Sequence, residues 1–233
     1  HNIFRTACLH KSVTKPKLCR SPTPKFYRRK IAVALCGFFE KFVEEIASKN
    51  AVPGGGSVAA VVASQGVALL EMVCKLTIGK KNYLDVEEAM IKKQEVLEPI
   101  RLLLLDLSEE DSKSYALVMD AFSLPKETED EKKARSEAIQ KATYEAALTP
   151  LEVAKTALSA LKEAEFVYTK GNKNAASDAK VSSVMLRSAV LSALYNVEIN
   201  ADSLKDETKR DKLTEEVRKL KEEALAQEQV IIG

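Results

Sequence analysis

Two stretches of this 233-residue chain combine residue types and spacing that can do chemistry. The first is Pro53-Gly54-Gly55-Gly56-Ser57, which opens a helical pattern. Glycines let a backbone approach a ligand closely, and the unpaired N–H groups of a helix's first turn attract an anion such as a carboxylate. No Gly-Lys-Ser/Thr follows at the spacing of a Walker A loop. The same residues also read as a tight turn between two helices with Ser57 as cap. The second stretch is Gly171-Asn172-Lys173-Asn174-Ala175-Ala176-Ser177-Asp178, a helix entrance more polar than capping requires. Asn174 or Ser177 can cap it, which leaves Asp178 in or near the first turn. There the helix dipole favours a charged carboxylate, which suits a base, and an acid so placed also serves as a plain dipole partner.

At about 100° per residue, Ser182, Met185, Ala189, Ser192, Asn196 and, somewhat off axis, Asn200 follow Asp178 along one helical face. That face is too polar for a plain core. Asp178 and Asn196 are 18 residues apart, roughly 27 Å of helix, so one subunit cannot bring both to one reacting atom, whereas two subunits can. Lys80 and Lys81 follow Gly79 at a helix end, where cations suit the terminal carbonyls or hold substrate carboxylates.

The elements that must position these groups are helices. Ala, Leu, Lys and Glu abound, while 8 glycines, 7 prolines, 6% aromatics and no Trp argue against an all-β protein. Helical spacing begins with Phe38, Phe39, Phe42, Val43 and Ile46, and Asn50 to Gly56 interrupts it. Further helices are expected over about Ser57–Ile78, Leu84–Phe122 with the stripe Leu97, Ile100, Leu104 and Leu107, Thr128–Tyr168, Ala175–Asn200 and Lys205–Gln229. Pro99 and Pro150 are expected to kink two of them. The fold class is all-α, an elongated up-and-down bundle of about six helices. Ala59, Ala60, Ala63, Gly66 and Ala68 permit close helix approach, and a homodimer or higher homo-oligomer is expected along such a face.

Residues 1–37 are a separate basic leader and 38–233 the helical domain. Residues 1–39 hold nine basic residues and no acidic one, so the net charge of +2 hides a body with 27 Lys plus Arg against 34 Asp plus Glu, a balance of −7. An acidic body gives no reason to expect a nucleic-acid partner. The leader is expected to be a targeting segment, a linker from an upstream domain or a remnant of one. Cys8, Cys19 and Cys36 lie in it and Cys74 alone in the body, which fits a reducing compartment: the cytoplasm, or a mitochondrion or plastid if the leader is a targeting segment. His1 and His10 are also in the leader and no metal is expected. The longest apolar stretches, Val58–Leu70 and Ile100–Leu105, are interrupted or bounded by polar residues, so neither a spanning helix nor a membrane partner is expected.

Thr77-Ile78-Gly79-Lys80-Lys81, Pro53-Gly54-Gly55-Gly56-Ser57-Val58-Ala59-Ala60, Leu124-Pro125-Lys126, Gly171-Asn172 with Ser177-Asp178, and Tyr195-Asn196-Val197-Glu198-Ile199-Asn200 together resemble the formiminotetrahydrofolate cyclodeaminase / methenyltetrahydrofolate cyclohydrolase family. The resemblance covers about residues 38–230. It implies an all-α subunit that dimerises, holds a tetrahydrofolate derivative as substrate at the subunit interface and needs no cofactor; some members are fused behind a formimidoyltransferase domain. It implies that Asp178 is the acid/base group in closing 5-formimidoyltetrahydrofolate to 5,10-methenyltetrahydrofolate with release of ammonia. Gly54, Gly55, Gly56, Ser57, Asn172, Asn196 and Asn200 are then folate contacts, and Lys80 and Lys81 candidates for its glutamate tail. The alternatives are methenyltetrahydrofolate cyclohydrolase and, from another class, a non-catalytic helical protein-interaction module.

Overall fold

The computed structural model describes Gly37 and residues 39–233. Residues 1–36 of the basic leader, with its three cysteines and two histidines, and Phe38 lie outside the described residues, as do the expectations placed on them. The chain divides into two units, His1–Glu44 and Glu45–Gly233. In the first, residues 39–44 are helical. The second contains five long helices: α1 (Gly55–Thr77), α2 (Glu87–Ser123), α3 (Glu129–Lys170), α4 (Ala176–Asp202) and α5 (Glu207–Ile232). Single 3-10 turns lie at Lys81–Tyr83 and Lys173–Ala175. With the N-terminal helical stretch, the described residues hold six helices and no strand, the class that composition predicts.

Boundaries shift where tertiary contacts override local rules. α1 starts at Gly55, two residues before the expected start, with Gly54 as an extended N-cap and no side-chain cap. Ser57 therefore lies inside the first turn instead of capping it. Gly79 adopts φ +74, the left-handed region that a glycine enters at low cost, and the 3-10 turn that follows delays α2 to Glu87. At the start of α3, Thr128 Oγ1 accepts from the Glu131 N–H (3.2 Å) while the Glu131 carboxylate accepts from the N–H groups of Thr128 (3.0 Å) and Glu127 (2.9 Å). This reciprocal cap holds the Glu131 carboxyl below its usual range. Pro99 and Pro150 both lie inside helices that run on through them.

Cross-helix contacts give the directions. Ser57 meets Asp111 and Glu71 meets Arg101, so α1 and α2 are antiparallel. Ser114 with Thr149 and Lys93 with Glu163 set α2 against α3 in the same sense. Ser182 bonds Gly66 and Asn172 bonds Leu76, so α4 runs back along α1. Asn200 bonds Ala146, so α4 also runs antiparallel to α3. These four helices form the up-and-down bundle, and α5 packs on α3 and α4. It buries Leu213, Val217, Leu220, Ala224 and Ile231 and is tied by Lys155–Glu216 (2.6 Å), Lys162–Glu223 (2.6 Å) and Arg187–Glu228 (2.8 Å).

α1 is the central helix, packed against α2, α3 and α4. By length and composition it could cross a bilayer, contrary to the expectation drawn from its polar interruptions, yet 61% of its most apolar window is buried inside the bundle. Its small residues are used within the subunit. Ala59, Ala60, Ala63 and Gly66 are buried, the Gly66 carbonyl accepts from Ser182 Oγ at 2.7 Å, and a Cβ on Gly66 would lie 3.0 Å from Leu186 Cγ. Of that row only Ala68 remains exposed, so the small-residue face is not free to serve as the expected dimer surface. α2 is different: among its apolar residues Met90, Leu97, Leu104, Leu107 and Ala121 are buried, while Leu102, Leu103 and Leu105 are exposed.

Two predictions follow from this packing. Gly66→Val should lower the unfolding free energy by about 1–3 kcal/mol through overpacking, read from the denaturant midpoint, with Ala68→Val as an exposed control within about 0.5 kcal/mol. Cys74 is free and buried, and burial, reinforced by nearby Glu71, pushes its thiol up from 9.0 to about 11. Its contribution to stability is therefore full below about pH 9 and lost as pH rises through about 11. At about pH 8 the Cys74 peptide should label with a thiol reagent only after unfolding, as peptide mapping would show.

Candidate active site

The start of α1 meets the later part of α2 and the last turns of α4, and a cleft of about 350 Å³ opens between them. Gly54, Gly55 and Gly56 form one wall, Asp111, Ser114 and Tyr115 of α2 a second, and Asn196 and Asn200 of α4 a third. Such a volume accommodates a small organic ligand. The uncapped start of α1 leaves the amides of its first turn without intrahelical partners.

Among the described residues, Asp111 is the only carboxylate lining this cleft. It is half-buried and accepts a hydrogen bond from Ser57 Oγ at 2.8 Å. It lies so close to α1 that a Cβ on Gly56 would stand 2.2 Å from its Oδ1. The two asparagines are tethered through their nitrogens. Asn196 Nδ2 donates to the Ser192 carbonyl at 2.8 Å, and Asn200 Nδ2 to the carbonyls of Asn196 (2.9 Å) and Ala146 (3.4 Å). Their Oδ1 atoms make no hydrogen bond among the described residues and remain available as acceptors. Gly55 gives Asn196 room, since a Cβ there would lie 3.2 Å from Nδ2.

The expected site residues thus divide. Gly54, Gly55, Gly56, Asn196 and Asn200 come together at the cleft. Ser57 is fully buried and reaches the cleft only through Asp111. Lys80, Lys81, Asn172 and Asp178 gather at the other end of the bundle, where α1 ends and α4 begins. Lys80 and Lys81 are exposed there. Asn172 is committed to the fold: its N–H donates to Thr77 Oγ1 (2.9 Å), its Nδ2 to the Leu76 carbonyl (2.8 Å), and its Oδ1 caps the turn at Asn174 (3.0 Å). Asp178 occupies the first turn of α4, as expected, half-buried. Neither Asn174 nor Ser177 caps that helix, whose N-cap is Ala175. Among the described residues no group of three or more His, Cys, Asp or Glu side chains forms a metal-ligand set.

Sequence reasoning missed Asp111, although a signal was present. The stripe Leu97, Ile100, Leu104, Leu107 continues four residues on at Asp111, which places a charge where the helical period calls for a core residue.

Residues 39–219 match the family model described as formiminotransferase-cyclodeaminase. The chain belongs to this family. Over 185 residues it is 38% identical to a methenyltetrahydrofolate cyclohydrolase of Methylorubrum extorquens, covering 79% of this chain and 89% of that one. Over 192 residues it is 31% identical to the mouse formimidoyltransferase-cyclodeaminase, covering 82% of this chain but 36% of that longer protein. The crystal structure of formiminotetrahydrofolate cyclodeaminase from Thermotoga maritima superposes with a TM-score of 0.74 at 32% identity, covering 82% of this chain and 92% of that one. The family resemblance read from the five motifs therefore holds. All three relatives are named as enzymes, and this member of the formiminotransferase-cyclodeaminase family is an enzyme rather than a non-catalytic interaction module.

Proposed function

We propose that the cleft binds a reduced folate and that the chain closes 5-formimidoyltetrahydrofolate to 5,10-methenyltetrahydrofolate with release of ammonia. The observation that carries this reading is a single carboxylate, Asp111, set beside open amides and two tethered carboxamide oxygens. A reduced pterin presents ring N–H and 2-amino donors as well as carbonyl and ring-nitrogen acceptors, which suits acceptors on α2 and α4 facing donors on α1. The likeness to a solved cyclodeaminase supports the reaction.

The chemistry needs orientation and proton movement. N10 attacks the carbon of the protonated formimino group, forming the C–N10 bond and a tetrahedral centre that bears –NH2. A carboxylate takes the proton from N10, a proton is delivered to –NH2, and the C–N bond breaks to release NH3 and leave the methenyl cation. Charge and atoms balance without an outside reagent. Ring closure within one bound molecule draws on proximity, and a positioned acid/base group contributes about 10²- to 10⁴-fold.

In this reading Asp111 takes the N10 proton. Asp178, expected as the acid/base group, delivers the second proton from a second copy of the chain. α1 is 23 residues long, so the two ends of the bundle are about 35 Å apart and one subunit cannot unite them. The reading therefore requires a homodimer in which the end bearing Lys80, Lys81 and Asp178 of one copy meets the cleft of the other, with the lysines on the glutamate tail.

Methenyltetrahydrofolate cyclohydrolase is a second reading, favoured by the 38% identity to a cyclohydrolase matched over 89% of its length. In the same cleft, water adds to the methenyl carbon and loses one proton to the carboxylate; the hydroxyl then gives up its proton as the C=O forms, the C–N5 bond breaks and N5 takes up a proton, leaving 10-formyltetrahydrofolate. Pure protein given 5-formimidoyltetrahydrofolate should raise methenyl absorbance and ammonia together. Given 5,10-methenyltetrahydrofolate instead, accelerated loss of methenyl absorbance without activity on the formimidoyl compound identifies the cyclohydrolase, and no change with either substrate overturns both readings. Asp111→Asn should lower kcat about 10²- to 10⁴-fold with folate binding largely retained, by titration.

The shared site has its own test. Asp111→Asn and Asp178→Asn chains are each expected to keep at most about 1% of wild-type activity alone. Random mixing rebuilds one intact site in each heterodimer and should return about a quarter of wild-type activity. No recovery in demonstrated heterodimers sinks the shared site.

A further inference from the structure

Ser57 stands within the glycine motif and is 0% exposed, so no ligand in the cleft can touch it. Its hydroxyl and its carbonyl both bond to α2. Ser57 Oγ donates to Asp111 Oδ2 at 2.8 Å and lies 3.2 Å from Ser112 Oγ. A hydroxyl has one proton, and Ser57 spends it on Asp111, so Ser112 is the donor in the second bond. Ser108 Oγ donates to the Ser57 carbonyl at 3.2 Å. Ser108, Asp111 and Ser112 lie three and four residues apart on one face of α2, and all three address this first turn of α1. Gly56 completes the seat, because a side chain there would occupy the place of Asp111 Oδ1.

We infer that Ser57 and Gly56 are positioning residues for Asp111 and not substrate contacts. Ser57 binds one carboxylate oxygen and orients the other, and Gly56 gives the carboxylate its place against the start of α1. Two residues of the glycine motif therefore serve the protein's own acid, and Gly54 and Gly55 remain as its candidate ligand contacts on the cleft wall. The inference rests on the reading of Asp111 as the reacting carboxylate.

The test is a kinetic cycle on the full chain with whichever folate the wild type turns over. Ser57→Ala adds no volume and should lower kcat about 10- to 100-fold, as for the loss of one hydrogen bond to a charged acceptor, with KM within about twofold. Gly56→Ala, whose Cβ displaces the carboxylate, should act in the same direction and at least as strongly. Placed in Asp111→Asn, neither change should lower the residual rate further, because each acts through the same side chain. A rise in KM at unchanged kcat, or a full additional loss in the Asp111→Asn background, overturns the inference. A large loss in Asp111→Asn with none in Ser57→Ala and Gly56→Ala overturns it while leaving the reading of the cleft intact. Undiminished turnover in Asp111→Asn removes that reading and the inference with it.

Discussion

A carboxylate half out of water must be hydrogen-bonded or it destabilises whatever holds it. Asp111 meets that demand through Ser57 and through close contact with the backbone at Gly56. The rest of the site depends on this seat. It requires the first turn of α1 to lack a side chain at residue 56, to carry a hydroxyl at residue 57, and to lie against α2 near residues 108–112. The last condition holds only if α1 and α2 are antiparallel and in this register, which Glu71 with Arg101 and Ser64 with the Arg101 carbonyl enforce nearer the middle of the pair.

The same topology gives the cleft its electrostatic character. In an up-and-down bundle, the start of α1 adjoins the end of α4. One wall then offers the free N–H groups of a helix start and the wall beyond it the carbonyl end of another helix, poles of opposite sign. Asn196 and Asn200 lie among the carbonyls of that last stretch and bond to them through nitrogen, which leaves each oxygen without a partner among the described residues. The fold thus sets donors opposite acceptors before any ligand arrives. It also separates Asp178, at the start of α4, from Asn200 by almost the full length of the helix. Nothing inside one subunit can shorten that distance, which is why a second copy enters the functional reading.

Legibility followed the range of the interactions. Helix count, class and approximate limits were readable, because glycines, prolines and caps act locally and punctuate long runs of helical spacing; Thr128 with Glu131 and Gly79 did what their types suggest. Ser57 did not. A serine after glycines at a helix start is a cap by local rules, but the partner that redirects it lies 54 residues away. Gly66 and its alanine neighbours were rightly read as allowing close approach, yet period alone cannot say whether the approaching helix belongs to the same chain. The helix is α4, through Ser182 and Leu186. Asp178 was placed correctly in its own helix, and what it faces depends on contacts beyond that helix.

The polar face of α4 shows how structural and functional residues separate once partners are known. Ser182 is fully buried and its hydroxyl finds the Gly66 carbonyl, so the fold accounts for it completely. Ser192 is exposed, and water can satisfy it. Asn196 and Asn200 fit neither case. Each is half-buried, each has its nitrogen bonded to backbone, and each has an oxygen that no described residue uses. A carboxamide tethered at one end and open at the other has already surrendered the rotamer freedom that binding would otherwise cost, and both asparagines line the cleft that Asp111 also borders. Carboxamides held in this way at a cleft wall can accept a hydrogen bond from water or from a bound molecule without first being ordered.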